Sequence, residues 1–129
     1  MMFLTINEIL ELHEKLIAAT GGSAELRDRG LLESAIYSAD ASFDDVEIYP
    51  TIEEKAARLA YSLISNHAFV DGNKRIGVFV MLMTLRLNGI RPVYSQTELI
   101  ELGLGSASGE LRYDAILDWL HSHNQRDKT

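Results

Sequence analysis

The chain has no cysteine, so neither a disulfide framework nor a thiolate metal site can hold it together. A reducing cytoplasm suits that composition. Proline occurs only twice, and Pro50 and Pro92 both stand between periodic segments rather than inside one. Basic runs of five or more residues are missing, and 12 Lys and Arg stand against 19 Asp and Glu, for a net charge of −7. Binding to nucleic acid by counterion release generally needs a basic face, so this balance argues against a direct nucleic-acid partner. Long apolar runs are missing too. The longest, Ile76–Leu85, is interrupted by Thr84 and stops at Arg86, too short to span a bilayer. The opening Met1-Met2-Phe3-Leu4-Thr5 has no basic n-region and no small-residue cleavage site. The expectation is a soluble, cytoplasmic protein with no membrane partner.

What is present reads as helix. The 129 residues, 47 % of them apolar, suit one globular domain spanning residues 1–129. Thr5-Ile6-Asn7-Glu8 is a capping box, in which the Thr5 and Glu8 side chains satisfy each other's backbone N–H groups. Ile6, Ile9, Leu10, Leu12, Leu16 and Ile17 recur behind it at helical spacing, and Gly21-Gly22 supply the stop. A shorter helix is expected over Gly30–Ala39, then an acidic surface loop over residues 40–50. Thr51-Ile52-Glu53-Glu54 is a second capping box, opening a helix with Ala56, Leu59, Ala60, Leu63 and Ile64 on one face. Lys74–Asn88 is apolar nearly all round, as a helix in the middle of a bundle would be. Val78 and Val80 would also suit a buried strand, but the length and the Asn88-Gly89 stop favour helix. Ser95-Gln96-Thr97-Glu98 is a third capping box, whose helix should end before Ser106-Ala107-Ser108-Gly109. A last helix is expected over Tyr113–His123. The fold class is all-α: about six helices around a central buried one, with room for a short β-hairpin near residues 21–29.

Chemistry concentrates in His67-Ala68-Phe69-Val70-Asp71-Gly72-Asn73-Lys74-Arg75. Gly72 falls where a loop enters a buried helix, whose N-terminus offers unpaired N–H groups and partial positive charge to an anion. Consecutive loop amides can add an anion-binding nest. Lys74 and Arg75 put full positive charge where the helix dipole disfavours it, an arrangement that makes sense if a phosphate binds there. Asp71 beside such a nest would repel a bare phosphate, yet suits Mg²⁺, which takes one or two carboxylates plus phosphate oxygens and water. His67, near the end of the preceding helix, can project over the same loop, and an imidazole is suited to take a proton from an incoming hydroxyl. Phe69 should point inward and anchor the loop.

This nine-residue run resembles the signature of Fic/Doc proteins, His-x-Phe-x-(Asp/Glu)-(Gly/Ala)-Asn-(Gly/Lys)-Arg. Lys74, in place of the second glycine of true Fic proteins, makes it similar to the Doc, or death-on-curing, branch of toxins. Gly21-Gly22, Leu26-Arg27-Asp28 and Gly30-Leu31-Leu32-Glu33-Ser34-Ala35 match that family in order and spacing, so the resemblance covers nearly the whole chain. It implies a Fic fold and Mg²⁺-dependent use of ATP. It implies His67 as catalytic base, Asn73 as a positioning and nucleotide-contacting group, Asp71 as the Mg²⁺ ligand, and Gly72, Lys74 and Arg75 as phosphate holders. It also implies a target flap that includes Arg27 and Asp28. Doc-type proteins move the γ-phosphate of ATP onto elongation factor Tu and arrest translation, whereas Fic proteins generally move AMP. Fic signatures usually carry a second arginine three residues after the first, and that position here is Val78, which favours phosphate transfer. Gly72 follows the Fic form, where Doc itself has alanine, and Glu25 stands where many relatives have glycine. The implied partner is a Phd-like antitoxin with a disordered C-terminal segment that folds into a groove of the toxin. The inhibitory motif Ser/Thr-x-x-x-Glu-(Gly/Ala)-x-Asn is missing from the chain, which fits inhibition from outside.

Rival readings are an AMP or other nucleotidyl transferase on the same scaffold, a non-enzymatic corepressor that binds its antitoxin, and a helical domain whose cationic helix start is coincidental. Other conspicuous residues take blander assignments. His13, His121 and His123 are expected to be solvated, Phe79, Met81 and Met83 to pack in the core, Asp40–Glu47 to be a solvated loop, and Trp119 to be a core anchor.

Overall fold

A computed structural model describes residues 1–107 and 112–126. Within them the chain forms six α-helices: α1 (Ile6–Thr20), α2 (Arg29–Ala39), α3 (Ile52–Asn66), α4 (Asn73–Leu87), α5 (Gln96–Ala107) and α6 (Tyr113–His123). All three capping boxes form, with reciprocal bonds between Thr5 and Glu8, Thr51 and Glu54, and Ser95 and Glu98. α1 stops where Gly21 turns to φ +86. α5 continues through Ser106 and Ala107, two residues beyond the end its small residues suggest, and the Ser108-Gly109 break lies outside the described residues.

The helix pair α3–α4 forms the middle of the molecule. α4 packs on α1, α3, α5 and the short strand that follows it, while α3 also packs on α2 and α6. Apolar side chains collect on both sides of this pair. Ile9, Leu32, Leu59, Leu63, Phe69, Ile76 and Val80 fill one side. Ala56, Ala57, Ala60, Met81, Leu85, Ile90, Ile116 and Leu120 fill the other. The two helices pack tightly at Gly77, where an added Cβ would lie 2.7 Å from Ile64 Cγ1 and 3.2 Å from the Ala60 carbonyl oxygen. Thr84, buried on α4, donates its hydroxyl to the Val80 carbonyl at 2.7 Å, so its own donor is met.

The structure departs from the sequence reading in several places. α4 is not buried all round: Phe79, Met83 and Leu87, at successive i+4 positions, are each about 40 % exposed, so one stripe faces outward. Residues 40–50 are not a plain loop. β1 (Ser42–Phe43) and β2 (Val46–Glu47) pair antiparallel across Asp44-Asp45, both at positive φ (51° and 64°) as a type I′ turn requires. Nor is this acidic stretch merely solvated, because the buried Lys55 lies 3.5 Å from Asp40 and 3.3 Å from Glu47, tying the hairpin to α3. A second pair joins β3 (Ile90–Pro92) to β4 (Asn124–Arg126). No hairpin forms over residues 21–29; that segment pairs elsewhere, as described below. Among the described residues no helix is long and apolar enough to cross a membrane.

Candidate active site

α3 ends at Asn66, and the chain leaves it through His67 in the left-handed conformation (φ 53, ψ 53). This turn sends Ala68 and Phe69 into the core and leaves the His67 side chain exposed. The loop then returns through Gly72, at φ +75, into the first turn of α4. An added Cβ at Gly72 would meet Ile17 Cδ1 at 3.0 Å and His13 Nε2 at 3.3 Å, so glycine answers both the conformation and the space. In contrast to α1, α3 and α5, α4 has no side-chain cap.

Asn73 holds the loop closed. Its Oδ1 accepts from the Phe69 N–H at 3.0 Å and its Nδ2 donates to the Phe69 carbonyl at 2.9 Å, both in a buried setting. Nδ2 also lies 3.5 Å from His67 Nδ1. Asn73 is therefore a positioning residue, its amide engaged with the loop it closes. Phe69 is the expected anchor. Asp71 receives the Gly72 N–H on Oδ1 at 2.8 Å, with Arg75 Nη2 3.8 Å from the same oxygen. The other guanidinium arm of Arg75 donates to Thr20 Oγ1. Lys74 has no ion pair with any described residue.

His67, Asp71, Gly72, Asn73, Lys74 and Arg75 line one cavity of about 630 Å³. Its remaining walls are apolar: Val70, Val78 and Phe79, with Leu99 and Ile100 from α5. Phe79, expected in the core, faces this cavity instead. The α5 wall is held by a clasp. His123 donates from Nδ1 to the Trp119 carbonyl at 2.7 Å and from Nε2 to Glu98, while its ring stacks on Trp119 at 4.2 Å. Trp119 is thus half-buried, packed against the core on one side and held in this aromatic clasp. The Trp119 carbonyl, and then Glu98, raise the His123 pKa; the Ser95 N–H, and then His123, lower that of Glu98. His123 is accordingly not a free solvated histidine, whereas His121 is exposed as expected.

Arg27 and Asp28, the residues expected in a target flap, are both tied to neighbouring helix ends. Arg27 donates from Nε to the His67 carbonyl at 2.7 Å and from Nη2 to that of Asn66 at 3.0 Å, satisfying carbonyls at the end of α3. Asp28 caps α2 by accepting the Gly30 N–H at 2.9 Å. Their segment lies along the motif loop as a short antiparallel pairing. Leu26 bridges Phe69, Val70 N–H bonds to the Glu25 carbonyl, and the Arg27 and Asp28 N–H groups share the Ala68 carbonyl.

Two site residues escaped the sequence reading. His13 is buried rather than solvated, with its ring stacked on Phe69 at 3.6 Å and its Nε2 2.7 Å from the Asp71 carbonyl oxygen. Its position between Ile9 and Ile17, four residues from each, was the available signal, since it places the ring on the buried stripe of α1. Gly22, at φ +114, leaves room for the Asp71 carboxylate: an added Cβ would lie 2.3 Å from Asp71 Oδ2.

Among the described residues no three His, Asp or Glu side chains gather as a metal site. A metal here would take Asp71 from the protein and its other ligands from a bound phosphate and water, a donor set suited to Mg²⁺.

Residues 3–85 match the family model described as the Fic/DOC family, a span from the start of α1 through most of α4. The chain is 39 % identical over 89 residues to a protein named Toxin Doc from Mycolicibacterium smegmatis, covering 67 % of this chain and 68 % of that one. It is 32 % identical over 120 residues to a protein named Protein kinase doc from Escherichia phage P1, covering 93 % and 94 %. With the motif loop, its uncapped helix start and the facing histidine all inside the matched span, the chain belongs to the Fic/Doc family, on its Doc branch.

Proposed function

We propose that this chain is a Doc-like toxin that transfers the γ-phosphate of ATP to a hydroxyl group of a protein, with elongation factor Tu the acceptor by family resemblance, and so arrests translation in the cytoplasm. The observation that carries the reading is the single cavity in which His67, Asp71 and the uncapped, doubly cationic start of α4 meet. The N–H groups of α4, with Lys74 and Arg75, offer the phosphates what they need, since phosphoryl transfer depends mainly on positioning and charge stabilisation. The apolar wall of Phe79, Leu99 and Ile100 is suited to a flat base. His67 takes the proton of the acceptor hydroxyl on a ring nitrogen as that oxygen bonds to the γ-phosphorus and ADP departs. Asp71 would hold Mg²⁺, which when bound supplies charge neutralisation between the phosphates. Its Oδ2 has no hydrogen-bond donor among the described residues and so is available as a ligand. The relative named a protein kinase matches nearly the whole chain. Val78 borders the cavity where AMP-transferring relatives carry a second arginine, which favours transfer of phosphate over AMP.

The relative named as a toxin supports an antitoxin partner, for which a Phd-like protein with a disordered C-terminal segment is the expected form. The test is incubation with Mg²⁺, elongation factor Tu and ATP labelled at either the α or the γ position. Label from γ-ATP alone, lost in His67→Ala, is the expected result. Label from α-ATP would instead mark an AMP transferase. No label from either, with growth arrest intact in His67→Ala, would leave the non-enzymatic corepressor.

A further inference from the structure

α1 presents His13, Ile17 and Thr20 to the motif loop from one helical face. His13 meets Phe69 and Asp71, Ile17 meets Gly72, and Thr20 receives Arg75. Of these contacts, the one from His13 bears on the chemistry through a rigid element. The Asp71 carbonyl can only accept, so the ring donates from Nε2 across the 2.7 Å contact. That carbonyl and the Gly72 N–H belong to one planar peptide unit and point in opposite directions. The Gly72 N–H in turn donates to Asp71 Oδ1 at 2.8 Å. Holding the carbonyl therefore sets the direction of the N–H, and the N–H sets the carboxylate. Without a donor at position 13 the Asp71–Gly72 peptide could rotate readily, because glycine follows it.

We infer that His13 is a positioning residue for the transfer reaction: through the Asp71–Gly72 peptide it fixes the direction in which the Asp71 carboxylate faces the cavity. The inference rests on the kinase reading above for its consequence, though not for its geometry. A merely structural His13 would contribute only its volume and its stack on Phe69. A donor and a volume can be separated, because a glutamine amide reaches about as far as Nε2 and donates, whereas leucine fills similar space and cannot.

His13→Gln and His13→Leu are to be compared with the wild-type protein in γ-phosphate transfer at varied Mg²⁺ and ATP, with thermal melts alongside. His13→Leu is expected to lose on the order of 10- to 100-fold in kcat, as small misplacements of reacting groups do, and to need several-fold more Mg²⁺. Its KM for ATP should stay within about twofold, because the N–H groups and cations of α4 that face the phosphates are untouched. His13→Gln should recover most of the loss in kcat and in Mg²⁺ requirement. Amide hydrogen exchange needs no activity: the Gly72 N–H should exchange roughly 10-fold faster in His13→Leu and close to the wild-type rate in His13→Gln, with α3 unchanged. Equal losses in both variants, tracking their melting temperatures, would overturn the assignment, as would equal Gly72 exchange in all three proteins. If the wild-type protein transfers no label, the kinase reading fails, and the exchange comparison alone decides whether His13 holds the loop.

Discussion

Gly22→Ala offers a test of whether space around the Asp71 carboxylate matters to the reaction, because Gly21→Ala supplies a matched control one residue away. Both glycines hold positive φ, +86 at Gly21 and +114 at Gly22, so alanine meets backbone strain at each. Strain of this kind costs roughly 1–3 kcal/mol. For a chain of 129 residues, an unfolding entropy of roughly 2.1 cal/mol/K per residue turns that into a fall in Tm of about 4–11 °C. The new methyl groups differ in what they meet. At Gly21 nothing lies within 4 Å, whereas at Gly22 the Cβ would stand 2.3 Å from Asp71 Oδ2 and 3.2 Å from its Cγ. The carboxylate is the movable party, so it must swing away. Melting curves should therefore show similar losses for the two variants, while label transfer at varied Mg²⁺ separates them. Gly21→Ala should keep near wild-type transfer below its melting range, and Gly22→Ala should lose at least tenfold and demand more Mg²⁺. If the two variants transferred phosphate equally well, the carboxylate's position would be irrelevant to the reaction and Asp71 would lose its assigned role.

Three further outcomes are expected. His67→Gly should abolish transfer yet melt above His67→Ala by a margin equivalent to about 1 kcal/mol, because the position is left-handed (φ 53, ψ 53) and only glycine adopts that without penalty; circular dichroism melts with a transfer assay check both halves. Asn73→Ala strips the buried Phe69 N–H and carbonyl of their partners, which should cost about 2 kcal/mol or more in denaturant unfolding. The His123–Glu98 clasp should make stability depend on pH. His123's raised pKa contributes stability that is full below its ordinary 6.5 and lost as pH rises through the folded value. Glu98's lowered pKa contributes stability that is full above its ordinary 4.5 and lost as pH falls through the folded value. The difference in Tm between wild type and His123→Phe should therefore be widest between about pH 4.5 and 6.5 and narrow as pH rises through the folded His123 value; a gap that widened with pH above 6.5 would refute the pairing.

Helix starts were readable in the sequence because capping is local chemistry. Thr5, Thr51 and Ser95 each lie three residues before a glutamate, and each box forms. The motif loop was readable for a related reason: its residues are contiguous and their charges conflict with an ordinary helix start. The misses are contacts made across long stretches of chain. A lone histidine on α1 gives no hint that it will meet Asp71, 58 residues on. Arg27 and Asp28 also bond to helix ends, a use that only the placement of α3 and α2 reveals. The hairpin at Asp44-Asp45 did have a local signal, two turn-forming residues between Phe43 and Val46, which the surrounding acidic charge obscured. Hydrophobicity alone points Phe79 and Met83 to the core. Their i+4 spacing marked a single stripe, and nothing in the sequence said that the stripe would be left facing outward.

The tight crossing at Gly77 reaches further than packing. The motif loop is a short tether between the end of α3 and the start of α4, so a change in how closely the two helices approach would be passed to both of its ends. Gly77 stands four residues past the first residue of α4, against Ala60 and Ile64. It works as the pivot of a pair of tongs, with the histidine at the tip of one arm and the cations at the tip of the other. A methyl group at the pivot is expected to spread the tips. The width of the cavity is thus expected to depend on a residue that has no side chain and is not among those lining it.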